Sequence, residues 1–115
     1  MEQVRFIIRM DRNGLKRDEA ELALAPAEDW LKQQGISILM LFKGLFGLCA
    51  TTDQATFEKL FGVSLTSHTQ HVPNLNRAGT DVTNWKASGP LQVPAELRAL
   101  GITNVDIDQQ IALTD

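Results

Sequence analysis

The side chains with the clearest potential for metal chemistry are two histidines and two aspartates. His68 and His71 are three residues apart in a predicted strand, and this spacing turns their side chains to opposite faces. A metal ion shared by both histidines is therefore not expected. Asp106 and Asp108 share one face of another extended segment, but no third acidic ligand or glycine-containing calcium loop accompanies them. We expect solvated side chains at all four positions and no bound metal.

The single cysteine, Cys49, lies in an apolar run without a cationic neighbour that would favour its thiolate. We therefore expect it in the hydrophobic core rather than as a nucleophile. The chain also lacks a glycine-rich phosphate loop, a G-x-S-x-G nucleophile elbow and an H-E-x-x-H zinc motif. The sequence predicts a protein that is not an enzyme and that uses no cofactor.

Composition limits the class of protein. With 115 residues, 43% hydrophobic and 22% charged, residues 1–115 are expected to form a single domain. Proteins that bind nucleic acid present a positively charged surface. The net charge of -3 and the absence of a basic run argue against such a surface, so no nucleic-acid partner is expected. Glycines and Lys43 interrupt the longest apolar stretch, so no membrane span is expected. A single cysteine and an N-terminus without a signal peptide predict a cytoplasmic location.

The first third of the chain predicts a strand and then a helix. Residues 4–10 alternate apolar and polar side chains, which is typical of a half-buried strand. Pro26 at a first helical position and Gly35 beyond the last predict a helix between them. Residues 15–25 fit either a ragged helix or an alternating strand, and the sequence leaves that choice open.

Two apolar runs, residues 36–42 and 45–50, follow the predicted helix. Lys43 and Gly44 separate them, and glycine favours a tight turn over one continuous helix at this point. The pattern predicts two antiparallel strands joined as a hairpin.

The next segment predicts a second helix and a polar strand. Thr51 and Gln54 resemble a capping box, and the apolar stripe that follows them ends at Gly62. Residues 63–71 alternate as a mostly solvated edge strand.

The remaining part of the chain predicts short elements. We expect a polar loop over residues 73–79, a short strand over 81–87, and a helix over 94–100 with proline at its first position. Residues 102–107 are expected to be extended.

These elements occur in the order strand, helix, strand, strand, helix, strand, followed by a C-terminal extension. This order predicts an α+β fold with a ferredoxin-like antiparallel sheet and both helices on one of its faces.

The hairpin predicts an apolar surface for a protein partner. Leu39 and Leu41 alternate with the other apolar residues of their strand, and Ile7 on the first strand joins them. Helices cover only one sheet face, so these three residues are expected to form an exposed binding surface. The alternative is that the C-terminal segment with Trp85 and Leu97 folds over them.

From Trp30 onward the sequence resembles the activation propeptides of sedolisin-type serine peptidases of the kumamolisin group. The similarity lies in Trp30-Leu31 with Gly35, in ATFEKLFGVSL at residues 55–65, in VPAELRAL at 93–100, and in Ile102 with the segment 105–107.

The resemblance implies a ferredoxin-like domain that inhibits a peptidase and assists its folding through a sheet face. The segment before Trp30 is shorter than in that family, and the catalytic Ser, Glu and Asp are absent. Because no catalytic domain follows Asp115, we expect an inhibitor or folding chaperone that acts on a separate peptidase. The alternative is a ferredoxin-like module that forms a homodimer through the same face.

Overall fold

A computed structural model of the chain describes residues 3–74 and 77–108, apart from the side chains of residues 70–74 and 77–83. These residues form an α+β fold with a four-stranded antiparallel sheet, a separate two-stranded sheet and helices. The larger sheet has the order β2-β3-β1-β6 and contains β1 (Gln3–Met10), β2 (Ser37–Phe42), β3 (Gly47–Asp53) and β6 (Ile102–Ile107). The smaller sheet pairs β4 (Leu65–Asn74) with β5 (Arg77–Ala87), and the α-helices are α1 (Ala20–Gln33), α2 (Gln54–Phe61) and α3 (Ala95–Ala99).

The hydrophobic core lies between the larger sheet and the helices. In β1 the alternate residues Val4, Phe6 and Ile8 are fully buried, and Phe6 stands at the centre of this row. Its ring makes edge-on contacts with the rings of Phe57 and Phe61 on α2, at centroid distances of 5.4 and 5.2 Å. Aromatic pairs in this geometry stabilise the core beyond the area that they bury. The alternation predicted for residues 4–10 is confirmed.

The helix α1 begins earlier than the sequence predicted. It starts at Ala20, after a single 3-10 turn at Arg17–Glu19, and Pro26 lies inside it rather than at its first position. Proline removes one main-chain hydrogen bond, a cost of roughly 3 kcal/mol within a helix. Burial of a stripe with helical spacing outweighs this cost, and the stripe consists of Ala20, Leu24, Ala27 and Leu31. The choice left open for residues 15–25 is thus resolved as helix from Ala20.

The predicted hairpin is confirmed as the antiparallel pair of β2 and β3, but its turn is longer than expected. A 3-10 turn at Lys43–Leu45 is followed by Phe46, whose φ of 48° lies in the left-handed region. That backbone conformation costs a non-glycine residue roughly 1–2 kcal/mol. The phenyl ring is fully buried and the guanidinium of Arg12 lies 5.1 Å above it, which offsets the strain.

The helix α2 is confirmed, but its predicted capping residues are wrong. The N-cap is Asp53, whose carboxylate accepts a hydrogen bond of 2.7 Å from the Thr56 N–H, whereas Thr51 belongs to β3. This hydrogen bond lowers the pKa of Asp53. The helix ends at Gly62, as predicted, where a φ of 65° requires the left-handed conformation.

The fourth strand of the larger sheet is β6, and not the segment at residues 63–71 that the sequence suggested. That segment becomes β4, whose partner is β5 in the smaller sheet. The reason lies in the apolar content, since β6 buries Ile102 and Val105, whereas Leu65 is the buried side chain in the described part of β4, residues 65–69. The predicted polar loop over residues 73–79 is also wrong, because β4 extends to Asn74 and β5 begins at Arg77.

Candidate protein-binding surface

The larger sheet has a second face, turned away from the helices, which we call the outer face. Residues that are opposite each other in neighbouring strands share a face. Ile7 on β1 is opposite Cys49 on β3 and Asp106 on β6, and Cys49 is opposite Met40 on β2. The row Met40, Cys49, Ile7 and Asp106 therefore crosses all strands of the outer face.

A β-bulge in β2 changes which of the predicted surface residues lie together. The register between β2 and β3 shifts at Leu39, which has no opposite residue in β3. The extra residue reverses the alternation, so Met40 lies on the outer face, and Leu41 lies opposite Leu48 and packs against the core. The structure does not bring Leu41 to the face of Ile7, and Met40 takes its place. The sequence showed apolar residues at all of these positions and so carried no signal of the bulge.

The part of the outer face nearest β2 is apolar and exposed. Met40 is 56% exposed and Leu39 in the bulge 49%, while Phe42 and Ile7 are half-buried. Leu45, in the turn after β2, is 61% exposed, but this turn contacts α1 on the helix side. Exposed apolar side chains that lie together mark surfaces for a protein partner.

The C-terminal segment with Trp85 and Leu97 does not fold over the outer face of the sheet. Trp85 and Leu97 are buried in the same core cluster as Phe6, which lies on the helix side of the sheet. Leu91 and Val93 also pack against that cluster. These apolar side chains are therefore used to complete the core rather than to cover the outer face.

The part of the outer face nearest β6 is charged. Arg9 Nη2 lies 2.8 Å from Asp106 Oδ2, and Arg5 Nη1 lies 3.7 Å from Asp108 Oδ2. Exposed ion pairs of this kind stabilise a fold by at most about 1 kcal/mol. The shared face predicted for the two aspartates is confirmed, and their partners are arginines of β1. The outer face thus joins an apolar half to a charged half.

Cys49 lies in the centre of the outer face but is only 5% exposed. Burial raises the pKa of its thiol, the carboxylate of Asp108 adds to this effect, and the guanidinium of Arg5 opposes it. A raised pKa keeps the thiol protonated at neutral pH, where a nucleophile would need the thiolate. The predicted burial of Cys49 is confirmed, although it lies on the face that the helices leave uncovered.

Cys49 is expected to react with iodoacetamide at least about tenfold more slowly in the folded protein than in the chain unfolded by urea. Both the raised pKa of the thiol and its burial slow this reaction in the folded protein, where the rate should rise only at a higher pH. Mass spectrometry of timed samples measures the rate, and a Cys49→Ala variant provides the unlabelled reference. Equal rates in the two states would contradict the placement of this thiol.

The described residues contain no group of three or more His, Cys, Asp or Glu side chains placed to hold a metal ion. His68 is exposed, and the side chain of His71 lies outside the described residues, so its predicted orientation is not tested. Over the same part of the chain, none of the helices has both the length and the apolar character that a membrane span requires.

A cavity of about 430 Å³ opens on the helix side, between α1, α2 and the residues around Pro94. Trp30, Gln34, Lys59 and Glu96 are among its lining residues. The charged side chains of its lining are Lys59 and Glu96, and the lining contains neither histidine nor cysteine. The outer face remains the better candidate for a functional surface.

Comparison of the chain with protein-family models, with curated proteins and with solved structures finds no match.

Proposed function

We propose that the chain is a non-catalytic protein-binding domain whose outer face binds a serine peptidase of the sedolisin group and inhibits it. The proposal rests on one observation, which is that the helices cover only one face of the larger sheet. One face is buried by helices, whereas the other presents Met40, Ile7 and Phe42 beside a charged border. An apolar centre with a polar rim is the usual composition of a protein interface.

The strand order supports a ferredoxin-like arrangement. When the β4-β5 hairpin and the short helix α3 that follows it are treated as insertions, the remaining elements follow the order strand, helix, strand, strand, helix, strand. The sheet order β2-β3-β1-β6 then places the first and third strands in the centre. In such a sandwich the helices occupy one face, which leaves the other for a partner.

The motifs that resemble those of the activation propeptides belong to the core. Phe57 and Phe61 in ATFEKLFGVSL and Leu97 in VPAELRAL are fully buried. These residues support a common architecture rather than a common contact surface. Contact with a peptidase is therefore assigned to the outer face, which these motifs leave free.

The test is an activity assay of a purified sedolisin-type peptidase with increasing amounts of this protein. We expect the wild-type protein to inhibit the peptidase, and Ile7→Lys to weaken inhibition at least about tenfold, because a charge replaces the apolar centre of the surface. Lysine is chosen because Asp106 is opposite this position, so the variant is expected to fold.

Lys59→Glu on α2 is the matched control, since it changes the charge of an exposed side chain on the helix side. It should inhibit as the wild type does, and circular dichroism should show the same fold for all three proteins. A wild-type protein without effect on the peptidase, or a folded Ile7→Lys variant of undiminished potency, would refute the proposal.

A further inference from the structure

The two edges of the larger sheet differ in charge. The edge strand β6 contains Asp106, and Asp108 follows directly after its end. The other edge strand, β2, has the sequence SILMLF and no charged residue. An edge strand presents main-chain N–H and C=O groups that can pair with another strand, and charged side chains are a common protection against such pairing. Only the β6 edge has this protection.

Most of the exposed apolar side chains lie at the uncharged edge. The described residues contain four large apolar side chains that are exposed, and Leu39, Met40 and Leu45 belong to β2 or to the turn after it. The fourth is Leu22 on α1, which is 81% exposed and lies about 180° around the helix from the buried residues of α1, so it faces away from the sheet. This concentration indicates that the β2 edge is covered in the functional protein.

We propose that β2 pairs in antiparallel orientation with β2 of a second copy of this chain, across a two-fold axis. Each copy contributes its four-stranded sheet, so the dimer has one continuous sheet of twice that width. A strand that pairs antiparallel with its own copy satisfies a two-fold axis without any further match of shape.

Charge favours a second copy at this edge and opposes one at the other. A β2 pair brings no like charges together, because Ser37–Phe42 are all uncharged. The β6 strand carries Asp106, and a charged side chain in an edge strand disfavours pairing with a further strand.

The area available also favours this arrangement. A stable interface buries about 800 Å² on each partner, more than one short strand edge supplies. Because α1 packs against β2, a β2 pair also brings α1 of the two copies close together, which adds area to the interface. Ile7 remains accessible on β1, two strands from the edge, so the dimer leaves the centre of the proposed peptidase surface free.

The experiment is light scattering after size-exclusion chromatography, over a dilution series of the wild-type protein. We expect twice the mass of one chain, which is 12.7 kDa, at high concentration. Leu39→Lys places a charge in the edge strand and should raise the dissociation constant at least about tenfold. Because Leu39 is 49% exposed and has no opposite residue in β3, the variant should remain folded.

Thr103→Lys is the matched control, because it adds the same charge to an exposed residue of the opposite edge strand. It should leave the dimer intact. Met40→Lys, at another exposed position of β2, serves as the second edge variant if Leu39→Lys does not fold. A monomeric wild type, or a dimer that survives the lysine in β2 or dissociates with Thr103→Lys, would overturn the proposal.

Discussion

Replacing Phe6 by alanine is expected to lower the free energy of unfolding by about 3–5 kcal/mol. The Phe6 side chain is fully buried and contacts Phe57 and Phe61, so the change removes both the burial and two ring contacts. Domains of this size have a total stability of about 5–15 kcal/mol. The melting temperature should therefore fall by about 10–20 °C, as measured by circular dichroism.

Ile7→Ala is the control for this prediction, because Ile7 is the next residue in β1 and lies on the outer face. It is half-buried and not part of the core cluster, so we expect a loss of roughly 1 kcal/mol or less. Similar losses for the two variants would mean that the two faces of β1 are buried equally, and this would contradict the one-sided cover of the sheet.

The second large effect is a difference between two aspartate substitutions in β2. Leu41→Asp is expected to lower the free energy of unfolding by about 2–4 kcal/mol, because Leu41 packs against the core opposite Leu48. Leu39→Asp is expected to cost about 0.5 kcal/mol or less, since Leu39 is exposed in the bulge. Urea unfolding followed by circular dichroism measures both.

The two variants can be compared directly because both place the same charge in β2. At a protein concentration low enough to dissociate the proposed dimer, the difference between them reports the side of the sheet on which each side chain lies. If Leu39→Asp were the more damaging substitution, the bulge at Leu39 and the placement of Leu41 on the core side would both be wrong.

The local elements of the fold could largely be predicted from the sequence. β1 was expected because apolar and polar residues alternate along it, and the hairpin because Gly44 interrupts two apolar runs. α2 and its end at Gly62 followed from a helical stripe and a glycine. In each case the signal lies within about ten residues, where side-chain period and turn chemistry act directly.

The start of α1 was missed for a reason that involves distant residues. Pro26 is a frequent first residue of a helix, and the local pattern placed the start there. The stripe that extends α1 back to Ala20 is stabilised by burial against β2 and β3, which the sequence of the helix does not reveal. Tertiary packing thus overrode a local preference.

The candidate surface also depends partly on local sequence pattern and partly on tertiary packing. By itself the sequence determined that this is an α+β domain, that its hairpin has more apolar residues than one sheet face can bury, and that Ile7 is turned away from the core row of β1. Only the tertiary structure decided that Met40 rather than Leu41 joins Ile7, and that β6 rather than β4 completes the sheet. The physical reason is that a one-residue bulge reverses the faces of a strand, and that strand neighbours are selected by apolar surface far apart in the chain.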